Sequence, residues 1–177
     1  MIAFHALLFG SAAVVAATLV KPAAQQVSRS GSFELPCHPD TAFPFFSPEG
    51  EREWVKGWNP TPVFPDTIEF RRDTIFRERP PDDEAVWTIV DVDYETHRAE
   101  YVRVAPSHAA RIVVRIEAQT EAQTEALGSE RSKVTVTYTI TAFGKSPANL
   151  IAAFSEETYA AKMRAWQEQI SACLRNR

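Results

Sequence analysis

The chain has 177 residues, enough for one domain of ordinary size with little room for a second hydrophobic core. It carries 19 Lys and Arg residues against 23 Asp and Glu residues, a net charge of −4. This acidic balance argues against general binding to nucleic acid phosphates or to anionic lipid surfaces.

The first twenty residues contain no charged side chain, unlike the remainder of the chain. We favour an export signal here, with small residues at 15–17 or 23–24 available for cleavage. A membrane anchor ending at Lys21 is an alternative, because about 20 apolar residues span a bilayer. A start codon placed too far upstream is the third alternative and would leave a cytoplasmic protein. Residues 1–24 are therefore set apart from a predicted domain over 25–177.

A half-buried strand is predicted over 26–35, where apolar and polar side chains alternate. Beyond it, Asp40 can cap a short helix that runs to Phe46, and Pro48 can open a second one. The segment 42–58 is unusually aromatic for its length. Its five large rings are Phe43, Phe45, Phe46, Trp54 and Trp58.

Several strands follow this aromatic segment. Three prolines in 59–66 favour an edge strand or an irregular connection there. Further strands are predicted over 74–78, 85–94, 98–105, 109–117 and 133–143. Their alternation is typical of an antiparallel sheet with one wet face. The tandem Glu-Ala-Gln-Thr repeat over 117–124 has nothing apolar to bury as a helix, and we expect a long mobile hairpin loop.

A helix is predicted from Pro147 to Leu174, after a capping Ser146. Its apolar side chains form two stripes on roughly opposite sides, which one straight helix cannot bury against one sheet. Ser155 precedes two glutamates and has the chemistry of a second N-cap. We therefore expect a bend or restart at Ser155.

The pattern Phe-x-Pro-x-Gly-Glu-Arg-x-Trp-Val-x-Gly-Trp over 46–58, set between a first strand and a series of strands closed by a helix, resembles a bacterial branch of the SRPBCC superfamily. These START-like, Bet v 1-like proteins include polyketide cyclases and plant pathogenesis-related proteins. The resemblance implies an α+β helix-grip fold: a curved antiparallel sheet around a long C-terminal helix, with two short helices after the first strand. It also implies a cavity for a small hydrophobic molecule.

We expect binding or carriage of such a molecule rather than catalysis. The predicted cavity wall combines strand, helix and rim residues: Trp54, Trp58, Ile112, Val114, Ile116, Val136, Tyr138, Ile140, Phe154, Met163 and Trp166. A polyketide cyclase-like or dehydratase-like enzyme acting on an apolar carbonyl substrate is an alternative, which would need Asp91 and Arg103 buried together. A structural or interaction domain with a filled core is the third hypothesis.

The resemblance would also bring Cys37 and Cys173 into one region, making them a candidate disulfide in an exported protein. Two independent small apolar residues are the simpler interpretation. No cofactor or metal is predicted. The cysteines lack Cys-x-x-Cys spacing, the histidines lack paired spacing, and no glycine-rich phosphate loop or nucleophile motif occurs.

Overall fold

A computed structural model describes residues 23–78, 84–119 and 131–177. Within these residues, one antiparallel sheet of seven strands has the order β1-β7-β6-β5-β4-β3-β2. The strands are β1 Gln25–Leu35, β2 Thr61–Phe64, β3 Ile75–Glu78, β4 Ala85–Asp93, β5 Arg98–Val104, β6 His108–Gln119 and β7 Arg131–Ala142. Strand β2, which contains Pro62, forms one edge of the sheet, the position where proline is tolerated in a strand.

The helices occur in the predicted places. They are α1 Pro39–Ala42, two 3-10 helices at Phe43–Phe46 and Gly50–Glu53, α2 Pro147–Ala153 and α3 Glu156–Arg175. The seven-stranded sheet with its long C-terminal helix is the helix-grip fold, so the predicted α+β class is confirmed.

The first cap was predicted two residues too late. His38, not Asp40, is the N-cap of α1, and its Nδ1 accepts a hydrogen bond from the Asp40 backbone N–H at 3.3 Å. Pro39 takes the first helical position, which suits its fixed φ and absent N–H. The Asp40 carboxylate instead accepts a hydrogen bond from His97 Nε2 at 2.6 Å.

Strands β6 and β7, the two longest, show why one face of the sheet packs in the hydrophobic core. Every second residue of β7 is buried, from Ser132 to Ala142, while the threonines between them face outward. Three of these threonines pair with serines of β1 through hydroxyl contacts of 2.9 to 3.0 Å: Ser28 with Thr139, Ser30 with Thr137 and Ser32 with Thr135. The opposite face carries the apolar side chains of β6 and β7 that belong to the core.

The predicted restart of the C-terminal helix is confirmed. The backbone leaves helical geometry at Phe154, and the Ser155 side chain accepts a hydrogen bond from the Thr158 N–H at 3.1 Å. Ser146, in contrast, makes no side-chain cap bond to α2. The break turns α3 so that its Tyr159 hydroxyl donates to the Val136 carbonyl at 2.7 Å.

Three expectations fall wholly or partly outside the described residues: the segment 1–22, the turn at 79–83 and the repeat beyond Gln119. In the described part of the chain, no helix combines the length and apolarity needed to cross a membrane. Cys37 and Cys173 are both half-buried free thiols, so the candidate disulfide is not formed in this structure.

Candidate functional site

A cavity of about 380 Å³ lies between the concave face of the sheet and α3. Its wall is mainly aromatic and aliphatic, with four charged side chains and one histidine. The lining residues are Phe46, Pro48, Glu51, Val55, Trp58, Phe76, Glu78, Trp87, Tyr101, Arg103, His108, Ala110, Ile112, Val114, Tyr138, Ile140, Phe154, Lys162 and Trp166. A mostly apolar cleft with a few convergent polar groups is typical of a small-molecule site.

Hydrogen bonds to backbone carbonyls hold the aromatic segment 42–58 in place. Trp54 Nε1 donates to the Phe45 carbonyl at 2.8 Å, and Trp58 Nε1 donates to the Pro48 carbonyl at 2.7 Å. From β5, the Tyr101 hydroxyl donates to the Phe46 carbonyl at 2.6 Å. These bonds satisfy buried polar groups at both ends and hold the turn that carries the helix Gly50–Glu53.

Glu51 of this helix and Lys162 of α3 both border the cavity. Burial raises the pKa of the Glu51 carboxyl to about 8, and the nearby charge of Lys162 partly opposes this rise. Burial also lowers the pKa of the Lys162 ammonium to about 8, opposed by the charge of Glu51. At neutral pH Glu51 is therefore mostly protonated, whereas Lys162 is mostly charged.

Aromatic rings hold the Lys162 ammonium. Its Nζ lies 4.2 Å from the ring centre of Tyr138 and 4.9 Å from that of Trp166. Cation–π attraction of this kind favours the charged form of the amine. Burial also raises the pKa of the Tyr138 hydroxyl, so this ring stays neutral beside the ammonium.

A second cluster of polar side chains, Glu78, Arg103 and His108, lies on β3, β5 and β6. Arg103 Nε lies 3.6 Å from Glu78 Oε2, and Arg103 Nη1 donates to His108 Nε2 at 2.8 Å. Glu78 also accepts from Trp87 Nε1 at 3.0 Å. Because a guanidinium can only donate, His108 Nε2 is an acceptor here, and its Nδ1 donates to Ser107 Oγ at 3.0 Å.

Seven of the residues predicted to line the cavity do line it: Trp58, Ile112, Val114, Tyr138, Ile140, Phe154 and Trp166. The other four, Trp54, Ile116, Val136 and Met163, lie in the packed core outside the cavity wall. Trp54 was expected at the rim, but its indole bond to the Phe45 carbonyl and its edge contact with Trp166 at 5.2 Å place it in the core.

Asp91 and Arg103, the pair considered for catalysis, do not meet. Arg103 lines the cavity, whereas Asp91 pairs with Arg98 at 2.6 Å on the opposite face of the sheet. An irregularity in the β4–β5 register between Ile89 and Asp91 decides this, since a slip of one residue exchanges the two faces of a strand. Strand β4 thus places Trp87 inward and Asp91 outward.

Sequence reasoning missed Glu51, Lys162, Glu78 and His108. A signal existed for Lys162, which lies three residues after Tyr159 and four before Trp166 and so borders the apolar face of α3. Glu51 carried no such signal, because its neighbours Glu49 and Glu53 are ordinary surface acids. Among the described residues, no group of three or more His, Cys, Asp or Glu side chains is placed to hold a metal ion.

No protein-family model and no curated protein matches this sequence. Several solved structures do match this chain. The Mll3558 protein from Rhizobium loti matches at TM-score 0.54 with 17% identity, over 84% of this chain and 99% of that chain. Norcoclaurine synthase from Thalictrum flavum, in complex with dopamine and hydroxybenzaldehyde, matches at TM-score 0.57 with 10% identity, over 98% of both chains.

Ara h 8.0201 matches at TM-score 0.56 with 12% identity, over 84% of this chain and 94% of that chain. At these identities the likeness shows the fold: the chain has the Bet v 1-like helix-grip architecture.

Proposed function

We propose that this protein binds a small, largely aromatic or aliphatic molecule in the cavity between its sheet and α3. The observation that carries the proposal is the cavity itself, whose volume of about 380 Å³ lies within the usual range of ligand sites. A core packed to the usual density would leave few voids larger than a water molecule. The open volume therefore favours a binding domain over one whose interior is filled.

Ring geometry supports the proposal. Trp58 and Trp87 meet edge to face at 5.7 Å, and Tyr138 and Trp166 lie 6.4 Å apart, so rigid rings present both faces and edges to the cavity. Such rings bind flat ligands with little loss of side-chain entropy. The norcoclaurine synthase structure, with dopamine and hydroxybenzaldehyde, offers a precedent for aromatic molecules with this fold.

The test uses the neutral fluorescent probe N-phenyl-1-naphthylamine. We expect saturable binding with one site per chain, and we expect Ala110→Leu to abolish it, because Ala110 lines the cavity and leucine would fill it. Ala109→Leu is the matched control, since the neighbouring side chain points to the opposite face of β6. Equal binding by both variants, or none by the unmodified protein, would overturn the proposal.

Acid–base catalysis on an apolar carbonyl compound is a second candidate. The observation that favours it is the pair of partly buried groups at the cavity, Glu51 and Lys162, each with a pKa of about 8 and thus able to exchange protons near neutral pH. An aromatic ketone in deuterium oxide should then lose its α-proton faster with the protein than with Lys162→Met, as measured by NMR. Equal rates would remove this candidate.

Membership in a bacterial branch of the SRPBCC superfamily, and export directed by residues 1–24, are also proposals, and both rest on the sequence. N-terminal sequencing of the protein from membrane and soluble fractions tests the second. A chain that begins near residue 25 in the soluble fraction supports export with cleavage. A chain that retains Met1 in the membrane fraction supports an anchor instead.

A further inference from the structure

The charged groups of the cavity are not evenly paired. Arg103 faces the carboxylate of Glu78 at 3.6 Å, so these two charges largely compensate each other. Lys162 is held by the rings of Tyr138 and Trp166 instead. Within the described parts of the chain, no carboxylate oxygen lies within the 4.0 Å that defines an ion pair with its ammonium.

Glu51 does not supply the missing charge at neutral pH. Its carboxyl borders the same cavity, but burial raises its pKa to about 8, which keeps it mostly protonated. A protonated carboxyl donates one hydrogen bond through its O–H. The cavity thus presents an ammonium and a neutral hydrogen-bond donor, surrounded by aromatic and aliphatic side chains.

An uncompensated charge in such a site is costly, and a ligand of opposite charge removes the cost. We infer that the ligand is an apolar molecule with a single carboxylate, which lies between the ammonium of Lys162 and the carboxyl of Glu51 while its hydrophobic part contacts the aromatic wall. This inference rests on the proposed function and names the ligand class for the same cavity.

The other polar groups narrow the class further. A second negative charge on the ligand would approach Glu78, which is already committed to Arg103 and Trp87. A cationic ligand would meet both Lys162 and Arg103. A single anionic group is therefore the charge state that the wall accommodates best.

Affinity for the carboxylate should depend on pH in a defined direction. The titratable and charged groups that face the cavity are Glu51, Glu78, Tyr101, Arg103, His108, Tyr138 and Lys162. As pH rises through about 8, Lys162 loses its charge and Glu51 gains one. Both changes oppose an anion, so its binding weakens above that pH, whereas a neutral ligand of the same shape is less affected.

The experiment compares 2-naphthoate with 2-naphthamide by calorimetric titration of the full chain at pH 7. We expect the acid to bind about tenfold more tightly or better, since the contacts with Lys162 and Glu51 are charge-assisted. Lys162→Met should remove the preference while retaining amide binding. Glu51→Gln should retain it, because glutamine is also neutral and can donate a hydrogen bond.

Three outcomes overturn the inference. Equal affinity of the acid and the amide would contradict the ligand class and leave the cavity proposal standing. Tighter binding of 2-naphthylmethylamine would show that the site prefers a cation. Binding of N-phenyl-1-naphthylamine without any binding of 2-naphthoate would show that the cavity accepts only neutral molecules. Absence of N-phenyl-1-naphthylamine binding, in contrast, would overturn the proposed function itself.

Discussion

Some side chains of the site hold the backbone in place through hydrogen bonds, whereas others border the cavity. Trp54 and Tyr101 donate to carbonyls of the aromatic segment, and each is buried. Glu51 and Lys162 make no comparably close polar bond within the described part of the chain, and both border the cavity. Perturbed pKa values such as those of Glu51 and Lys162 are common at functional sites.

The substitution Glu51→Gln tests the protonation state of Glu51 through the pH dependence of the free energy of unfolding. Burial raises the pKa of Glu51 to about 8 from an ordinary value of 4.5, so the folded state binds this proton more tightly than the unfolded state. Its contribution to stability is complete below pH 4.5 and is lost as pH rises toward 8. We therefore expect the free energy of unfolding of the glutamine variant to rise relative to that of the parent as pH rises, by roughly 2 to 4 kcal/mol at pH 8.

Urea unfolding at pH 4, 6 and 8 measures this difference. Lys162, whose pKa is also about 8 and responds to the charge of Glu51, changes its charge only at the upper end of this range, so the values at pH 4 and pH 6 are free of its titration. A constant difference between parent and variant across the three pH values would contradict the protonated state of Glu51.

Among the secondary-structure elements, the short 3-10 helix Gly50–Glu53 is the one that presents Glu51 to the cavity. It follows a tight turn in which the Ser47 hydroxyl donates to the Pro44 carbonyl at 2.7 Å and accepts from the Gly50 N–H at 2.9 Å. The turn brings Gly50 so close to residue 44 that a β-carbon would lie 2.0 Å from the Pro44 carbonyl oxygen. Only glycine fits without backbone movement.

Gly50→Ala should therefore destabilise the protein by more than about 2 kcal/mol, through strain that backbone atoms must absorb. Gly57→Ala is the matched comparison. Gly57 has φ of +82° with open space around it, so its cost is limited to the backbone conformation, about 1 kcal/mol. Thermal and urea unfolding measure both variants, and equal losses would show that the contact with Pro44 relaxes freely.

For the whole molecule, the outer face of the sheet is stabilised by charges that cross three strands. Arg98 pairs with Asp91 of β4 and with Glu100 of its own strand, and Glu100 also accepts from Arg111 of β6 at 2.5 Å. These pairs tie the middle of the sheet together on the side away from the cavity.

Glu100→Gln should lower stability at pH 7 by on the order of 1 kcal/mol, because the buried negative charge that Arg98 and Arg111 share is lost. The hydrogen bond from Arg111 holds the pKa of Glu100 below its ordinary value of 4.5, so its contribution is present above that pH and is lost as pH falls through the lower, folded-state pKa. The difference between parent and variant should shrink correspondingly in acid.

Glu69→Gln is the control for this measurement, since Glu69 pairs with Arg71 on the surface, where both side chains are about half exposed. Surface pairs of this kind contribute little. Urea unfolding at pH 7 and pH 3 measures both variants. An equal loss for Glu69→Gln and Glu100→Gln would show that the crossing charges do not contribute through their burial.

Local pattern determined most of the architecture. The period of two in β1, β6 and β7 predicted which residues face the core, and Ser155 predicted the restart that orients α3. The same patterns predicted seven cavity residues, because a residue's face on a strand or helix follows from its neighbours. These features depend on interactions a few residues apart.

Only the tertiary structure decided which charges meet. The separation of Asp91 from Arg103 depends on a register irregularity that the residue types of β4 do not predict. The approach of Glu51 to Lys162 joins positions more than one hundred residues apart in sequence. Their perturbed pKa values come from burial, which is a property of the assembled sheet and helix. The cavity likewise exists only where packed elements leave space, and no single segment encodes that volume.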